Sequence, residues 1–316
     1  MKSSQRLFSF LKTSIEFLRL RGSSSLFDRG YTIQFELDGM RRPHPISSAG
    51  LEIKKDICYH AQPGKNRSLQ SLDVYAPAST LPNSLYPVVL FMHGGGWRAS
   101  DKDDSLGVHA NVCKALAGRG LVAVNVNYRL APRVKYPEPV RDAAHALRWT
   151  MENIGEYRGD PERVFLSGHS AGGHLAALIA LDATHLDEVG LAAAAIRGVM
   201  GICGVYNLAH FAGRNWMAEY LMTRAAFGNN RGVRAQASPV NHVCAEAPPF
   251  LLLNAQEDEK LEEEAEELSS FLRGKGVSAE TSIISGTNHF TILSLVGNGD
   301  DRLIDQMVDF VGRQLE

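Results

Sequence analysis

Short apolar runs alternate with longer segments in which apolar residues recur every three or four positions, from about residue 70 to the end of the chain. A strand buried on both faces of a parallel sheet is a continuous apolar run, whereas a helix that covers the sheet has one apolar stripe. The pattern therefore predicts an α/β fold with a mainly parallel central sheet and helices on both faces. Strands are predicted at 88–92, 121–127, 163–167, 198–203, 249–255 and 279–285, and helices at 106–117, 140–154, 171–182 and 260–274.

The predicted helix at 260–274 has a clear amphipathic pattern. Its apolar residues recur at helical spacing and form one stripe, which consists of Leu261, Ala265, Leu268 and Leu272. The acidic run on this helix is expected mostly to face water, and it consists of Glu262, Glu263, Glu264, Glu266 and Glu267.

The composition narrows the class of protein. With 316 residues, 44% of them hydrophobic, the chain can bury one large core in an undivided domain. A formal net charge of −2 gives no reason to expect nucleic acid as a partner. The four cysteines are widely spaced, so nothing requires an oxidising compartment, and Cys203 is predicted to be a buried thiol. No apolar run is long enough to cross a bilayer.

Two glycine-rich motifs carry the candidate chemistry. At 165–174 an apolar strand runs into Gly-x-Ser-x-Gly and then into a helix of small residues. A serine at so sharp a turn holds its hydroxyl clear of the sheet, which makes Ser170 the candidate nucleophile. Upstream, the strand at 88–92 runs into His-Gly-Gly-Gly-Trp at 93–97, a loop whose backbone N–H groups can bind an oxyanion.

A serine nucleophile needs a histidine to take its proton and a carboxylate to fix the tautomer of that histidine. With this kind of motif the acid and then the histidine follow the serine along the chain. Asp258 and Glu257 both lie after the strand at 249–255, and Asp258 is favoured because it lies near the N-terminus of the next helix, where an anion is stabilised. His289, after the strand at 279–285, is the candidate base. The other histidines show no metal-ligand spacing, so no metal site is predicted.

These motifs, together with residues 127–132, 136–137 and 237–240, occur in one order over roughly residues 50–316. In this the chain resembles esterases of the hormone-sensitive-lipase-like branch of the α/β-hydrolase fold. The resemblance implies cofactor-free hydrolysis of short- to medium-chain carboxylic esters by a serine carboxylesterase. It also implies a catalytic triad of Ser170, Asp258 and His289 and an oxyanion hole formed by the backbone N–H groups of Gly94, Gly95 and Ala171.

Two departures from that family bear on the substrate. His169 precedes the candidate nucleophile where lipase-like relatives often carry Asp, and Phe290 follows the candidate base where many carry Gly. Both features are similar to small feruloyl and acetyl esterases and to arylformamidases, and prenylcysteine methylesterases are a further alternative. The substrate pocket is predicted to include Trp97, Tyr128 and His169. The fold also has non-catalytic, ligand-binding members that lack a triad residue, but all three candidates are present here, which favours an enzyme.

The chain is predicted to divide into an N-terminal helical arm at 1–45 and a catalytic domain at 46–316, with a small cap insertion around 206–235. In the arm, the segment 7–21 is basic and amphipathic. The family resemblance makes it a cap over the active site, whereas its composition also fits a targeting peptide or a helix in weak contact with a membrane surface. The remaining expectations are a cytoplasmic location and a small-molecule ester as the partner.

Overall fold

The computed structural model describes residues 44–60, 67–78, 85–214, 219–258 and 260–316, which form an eight-stranded sheet with helices. The amphipathic segment 7–21 and nearly all of the predicted arm lie outside the described residues. The strands are β1 (Leu51–Cys58), β2 (Ser71–Pro77), β3 (Tyr86–Met92), β4 (Val122–Val126), β5 (Gly159–His169), β6 (Ile196–Ile202), β7 (Phe250–Glu257) and β8 (Ala279–Asn288).

The sheet has the order β1-β2-β4-β3-β5-β6-β7-β8. Strand β2 pairs antiparallel with both β1 and β4. The other six strands, β3 to β8, are parallel to their neighbours within this set. The prediction of a mainly parallel sheet is therefore confirmed, and all six predicted strands are present. The apolar pattern missed β1 and β2. Charged residues occupy the middle of β1, as is common in edge strands, and β2 contains the fully buried Asp73.

The helices are α1 (Val108–Gly118), α2 (Glu138–Asn153), α3 (Ala171–Leu181), α4 (Ala183–Asp187), α5 (Leu208–Arg214), α6 (Arg224–Phe227), α7 (Arg231–Gln236), α8 (Leu261–Gly274), α9 (Thr291–Ser294) and α10 (Arg302–Arg313). Short 3-10 turns occur at Arg67–Gln70, Ile154–Tyr157, Ala193–Ala195 and Pro239–His242, and a π-helical turn at Glu219–Thr223. The four predicted helices are α1, α2, α3 and α8. Helices α5 to α7 and the π-helical turn lie between β6 and β7, in the region of the predicted insertion. None of the helices in the described ranges is both long and apolar enough to span a membrane.

Helix α8 confirms one part of the amphipathic prediction and corrects another. The apolar stripe is buried as expected, but Glu264 is fully buried as well and does not face water. Glu264 lies three residues after Leu261 and therefore on the inward side of the helix. Its carboxylate oxygen Oε2 accepts hydrogen bonds from the backbone N–H groups of Tyr206 (2.8 Å) and Asn207 (3.0 Å), which compensate for its burial.

The parallel strands determine where the candidate site lies. Strands β3, β5, β7 and β8 all end at the same edge of the sheet, because parallel strands have their carboxyl ends together. The glycine loop at 93–97, Ser170, Asp258 and His289 lie at these four strand ends. Helix α3 approaches this edge closely, since a Cβ atom on Gly172 would lie only 2.0 Å from the backbone oxygen of Met92.

Candidate active site

Ser170 lies at the sharp turn between β5 and α3. Its backbone has φ 53° and ψ −116°, and a positive φ of this kind costs a non-glycine residue about 1–3 kcal/mol. Its N–H donates to the backbone oxygen of Ile202, 2.8 Å away, which ties the turn to β6. A Cβ atom on Gly168 would lie 2.4 Å from the carbonyl carbon of Gly172, so the turn requires glycine at that position. These features are typical of a nucleophile elbow.

Asp258 and His289 are joined by a hydrogen bond of 2.7 Å between Oδ1 and Nδ1. The second carboxylate oxygen of Asp258 accepts from the side-chain amide of Asn254 at 2.9 Å. Burial raises the pKa of Asp258, but its hydrogen bond and charge interaction with His289 act the other way, and the pKa lies below its ordinary value. The alternative acid, Glu257, is exposed, whereas the side chain of Asp258 is fully buried.

The structure does not link all three candidate catalytic residues by hydrogen bonds. Within the described ranges, Asp258 and His289 are bonded to each other, but Ser170 Oγ has no hydrogen bond to His289. The link between the turn and the loop of His289 runs instead through His169, whose Nε2 lies 2.8 Å from the backbone oxygen of His289. Catalytic hydrogen bonds are often long in enzymes without substrate.

The glycine loop packs directly on the turn that carries Ser170. A Cβ atom on Gly94 would lie 2.8 Å from His169 Nδ1 and 3.3 Å from Ser170 Cβ. Gly95 has φ 105°, and a Cβ atom there would lie 2.3 Å from the backbone oxygen of Ala99. In the described part of the chain, no acceptor takes the N–H of Gly94 or Gly95. Ala171 begins helix α3, whose first N–H groups have no partner within the helix.

Two residues predicted to line the substrate pocket are instead part of the core. Trp97 is 1% exposed and its indole N–H donates to His174 Nδ1 at 3.1 Å. Tyr128 is fully buried, donates from its hydroxyl to the backbone oxygen of His93 at 2.8 Å and stacks on the His93 ring. These contacts indicate that both side chains support the glycine loop. Of the three predicted pocket residues, only His169 touches the loop of the candidate base.

Sequence reasoning did not single out Asn254 or Cys203 as neighbours of the candidate acid. Asn254 is a buried amide in the otherwise apolar strand β7, and that isolated polar residue was an available signal. Cys203, directly after β6, is buried as predicted, has φ 49° and interacts electrostatically with the carboxylate of Asp258. Burial raises the pKa of the Cys203 thiol well above its ordinary value, so the thiol stays neutral.

Two groups of side chains in the described ranges are close enough to be considered as metal ligands. The first is His169, Cys203 and His289, in which both histidines already make the hydrogen bonds described above. The second comprises Asp56, Asp73 and Asp103. The buried ammonium group of Lys102 contacts all three of these carboxylates at 2.8–2.9 Å, so the protein supplies a cation of its own at that position.

Comparison with known proteins identifies relatives that match most of the chain. The BD-FAE family model matches residues 72–272. Esterase LipQ of Mycobacterium tuberculosis is 30% identical over 259 residues, covering 79% of this chain and 60% of the relative. The isoprenylcysteine alpha-carbonyl methylesterase ICME of Arabidopsis thaliana is 27% identical over 278 residues, covering 82% and 62%. The chain thus spans about three fifths of the length of both relatives.

Solved structures share the fold. A truncated carbohydrate esterase from gut microbiota superimposes with a TM-score of 0.71 at 19% identity, covering 85% of this chain and 98% of that one. The carboxylesterase EstE1 from a metagenomic library gives 0.67 at 23% identity, covering 85% and 90%. At these identities the likeness concerns the arrangement of strands and helices.

Proposed function

Because this chain belongs to the BD-FAE family and has the α/β-hydrolase fold, we propose that it is a serine carboxylesterase. Ser170 is the nucleophile, His289 the general base and Asp258 the acid that orients it. The observation that supports this most strongly is the 2.7 Å hydrogen bond between Asp258 and His289, at the same sheet edge as the strained turn of Ser170. Those are the groups that activation of a serine hydroxyl requires.

The first half of the reaction acylates the serine. Nδ1 of His289 is engaged by Asp258, so Nε2 is the nitrogen that accepts the proton as Ser170 Oγ attacks the ester carbonyl. The N–H groups of Gly94, Gly95 and Ala171 stabilise the resulting oxyanion, and the buried negative charge of Asp258 stabilises the imidazolium. The tetrahedral intermediate then breaks its bond to the alcohol oxygen, which leaves with the proton from His289.

The second half releases the acid. Water attacks the acyl-enzyme while His289 takes one of its protons, and the new tetrahedral intermediate expels Ser170, which regains its proton from His289. The net reaction converts an ester and water into a carboxylic acid and an alcohol. Every proton transfer uses a side chain of this protein.

The proposed substrates are short- to medium-chain carboxylic esters. The names of the esterase relatives support carboxylic esters as the substrate class, and the chain length is part of the proposal. A second candidate is the methyl ester of a prenylated cysteine, because a relative of that printed activity matches 82% of the chain. Arylformamide hydrolysis remains a third prediction. A comparison of kcat/KM for p-nitrophenyl acetate, butyrate and octanoate with a prenylcysteine methyl ester and N-formylkynurenine ranks these substrates.

Labelling with a fluorophosphonate probe tests the proposed nucleophile directly. The wild-type protein is expected to be labelled rapidly and to hydrolyse p-nitrophenyl acetate. Ser170→Ala should abolish labelling, and Ser170→Ala and His289→Ala should each lower kcat by about 10⁴ to 10⁶, because triad residues act as a unit. Ser167→Ala, three residues upstream on β5, is the matched control and should still be labelled. Retention of more than a tenth of the wild-type activity in Ser170→Ala would exclude the assignment.

A further inference from the structure

His169 joins two segments that are far apart in the sequence. It is the last residue of β5, immediately before the strained turn, and is only 7% exposed. Its Nε2 lies 2.8 Å from the backbone oxygen of His289, 120 residues away, and the centroids of the two rings are 4.8 Å apart. The residue before the proposed nucleophile therefore contacts the main chain of the proposed base.

The direction of this hydrogen bond follows from its chemistry. A carbonyl oxygen can only accept, so Nε2 of His169 must carry the proton. Burial, with a smaller contribution from the neighbouring His289, lowers the pKa of His169 to about 3, which keeps the ring neutral near pH 7. The neutral ring then has its unprotonated nitrogen, Nδ1, on the side of Gly94. An aspartate at this position could not make the same bond, because an ionised carboxylate has no proton to donate.

The loop that carries His289 also has hydrogen bonds at the end of β8. The Asn288 side-chain oxygen accepts from the N–H groups of Phe290 and Thr291, and the Asn288 N–H donates to the Thr291 hydroxyl. Asn288 is the last residue of β8, so these bonds hold the loop against the strand that it continues, and none of them reaches β5. The His169 bond reaches the main chain of His289 from β5, while Asp258 holds its ring from the end of β7.

We propose that His169 is a positioning residue that holds the main chain of His289 at a fixed place relative to Ser170. The inference rests on the function proposed above. With both its ring and its backbone held, the imidazole has little freedom to move away from the nucleophile. A displacement of about 1 Å in a catalytic group can lower a rate about 10²-fold, so loss of this single bond should be visible in kcat.

Two variants of His169 separate the hydrogen bond from the shape of the ring. His169→Phe keeps a ring but has no N–H, whereas His169→Gln places an amide N–H near the position of Nε2. We expect His169→Phe to lower kcat for p-nitrophenyl acetate by about 10- to 100-fold, with KM changed by less than about twofold. His169→Gln should recover at least about tenfold of that loss. His145→Gln, which changes a half-buried histidine on α2, is the matched control and should leave kcat unchanged.

A second measurement does not depend on turnover. The proton on His289 Nδ1, in its hydrogen bond to Asp258, should give a downfield NMR signal in wild type and His169→Gln that broadens in His169→Phe. Equal kcat values and equal signals in the Phe and Gln variants would overturn the proposal, and so would a Phe variant with more than half of the wild-type kcat. If His169→Phe does not fold, His169→Ala takes its place in both comparisons. If the wild type is neither labelled nor active, the proposed function fails, while the NMR comparison still decides the role of His169.

Discussion

Replacing Asp258 by asparagine has an outcome that the surrounding hydrogen bonds specify closely. One carboxylate oxygen accepts from the Asn254 amide at 2.9 Å and the other from His289 Nδ1 at 2.7 Å. In Asp258→Asn the new amide must turn its oxygen toward the Asn254 donor, so its NH₂ group faces His289. A nitrogen that faces an NH₂ group must be an acceptor, so the imidazole proton moves to Nε2. That tautomer cannot accept the proton of Ser170.

The expected loss follows from the wrong tautomer together with the lost charge beside the imidazolium. We expect kcat/KM for p-nitrophenyl acetate to fall by about 10⁴, which corresponds to about 5.5 kcal/mol of transition-state stabilisation. Fluorophosphonate labelling of Ser170 should slow in parallel. Glu257→Gln, next to Asp258 in the chain but exposed, is the control and should change kcat/KM by less than about threefold.

A double variant tests the tautomer argument by itself. In Asn254→Asp combined with Asp258→Asn, the new carboxylate accepts from the NH₂ of the new amide, whose oxygen then faces His289 and restores the productive tautomer. We expect the double variant to exceed Asp258→Asn in kcat/KM by at least about tenfold. A loss of less than about tenfold in Asp258→Asn, or an equal loss in Glu257→Gln, would refute the assignment of the acid. A double variant no more active than Asp258→Asn would refute the tautomer argument.

Three further predictions concern stability. Glu264→Ala removes a buried carboxylate that accepts hydrogen bonds from two backbone N–H groups, so it should lower the free energy of unfolding by about 3–5 kcal/mol in urea titrations. Glu263→Ala, on the exposed side of α8, is the control and should change the free energy of unfolding by less than about 0.5 kcal/mol. Similar values for the two variants would contradict the assigned burial. Burial lowers the pKa of His174 to about 4 from an ordinary value of 6.5, so on acidification the unfolded chain binds this proton before the folded protein does. The contribution of His174 to the free energy of unfolding should therefore fall by up to about 1.4 kcal/mol per pH unit between about pH 6.5 and pH 4. His174→Asn should make that slope shallower, and an unchanged slope would speak against a buried neutral ring. Gly172→Ala places a Cβ atom 2.0 Å from a backbone oxygen of β3, so it should lower the free energy of unfolding by at least about 2–3 kcal/mol or prevent folding. Gly118→Ala, at a position with open space around it, is the control and should be tolerated. Equal unfolding midpoints for the two variants would contradict the close packing of α3.

Local patterns accounted for the central part of the fold. Continuous apolar runs predicted the parallel strands because such strands are buried on both faces, and helical spacing predicted the stripe on α8. The same reasoning failed for β1 and for Glu264. The charged middle of β1 does not differ in composition from a surface loop, and the carboxylate of Glu264 is buried because two N–H groups from a distant segment meet it. Such compensation involves residues about 60 positions apart, which a periodic pattern over a short window cannot detect.

By itself, the sequence determined the motif that makes Ser170 the candidate nucleophile, the glycine loop and the chain order of the candidate residues. These are local features, because about ten consecutive residues are enough to show the glycine spacing and an apolar strand next to a helix of small residues. Only the tertiary structure decided between Asp258 and Glu257 as the neighbour of His289, put Trp97 and Tyr128 in the core and joined His169 to the loop of the candidate base. The physical reason is that hydrogen bonds between strand ends depend on the order and register of the sheet, which bring together residues that the sequence keeps far apart.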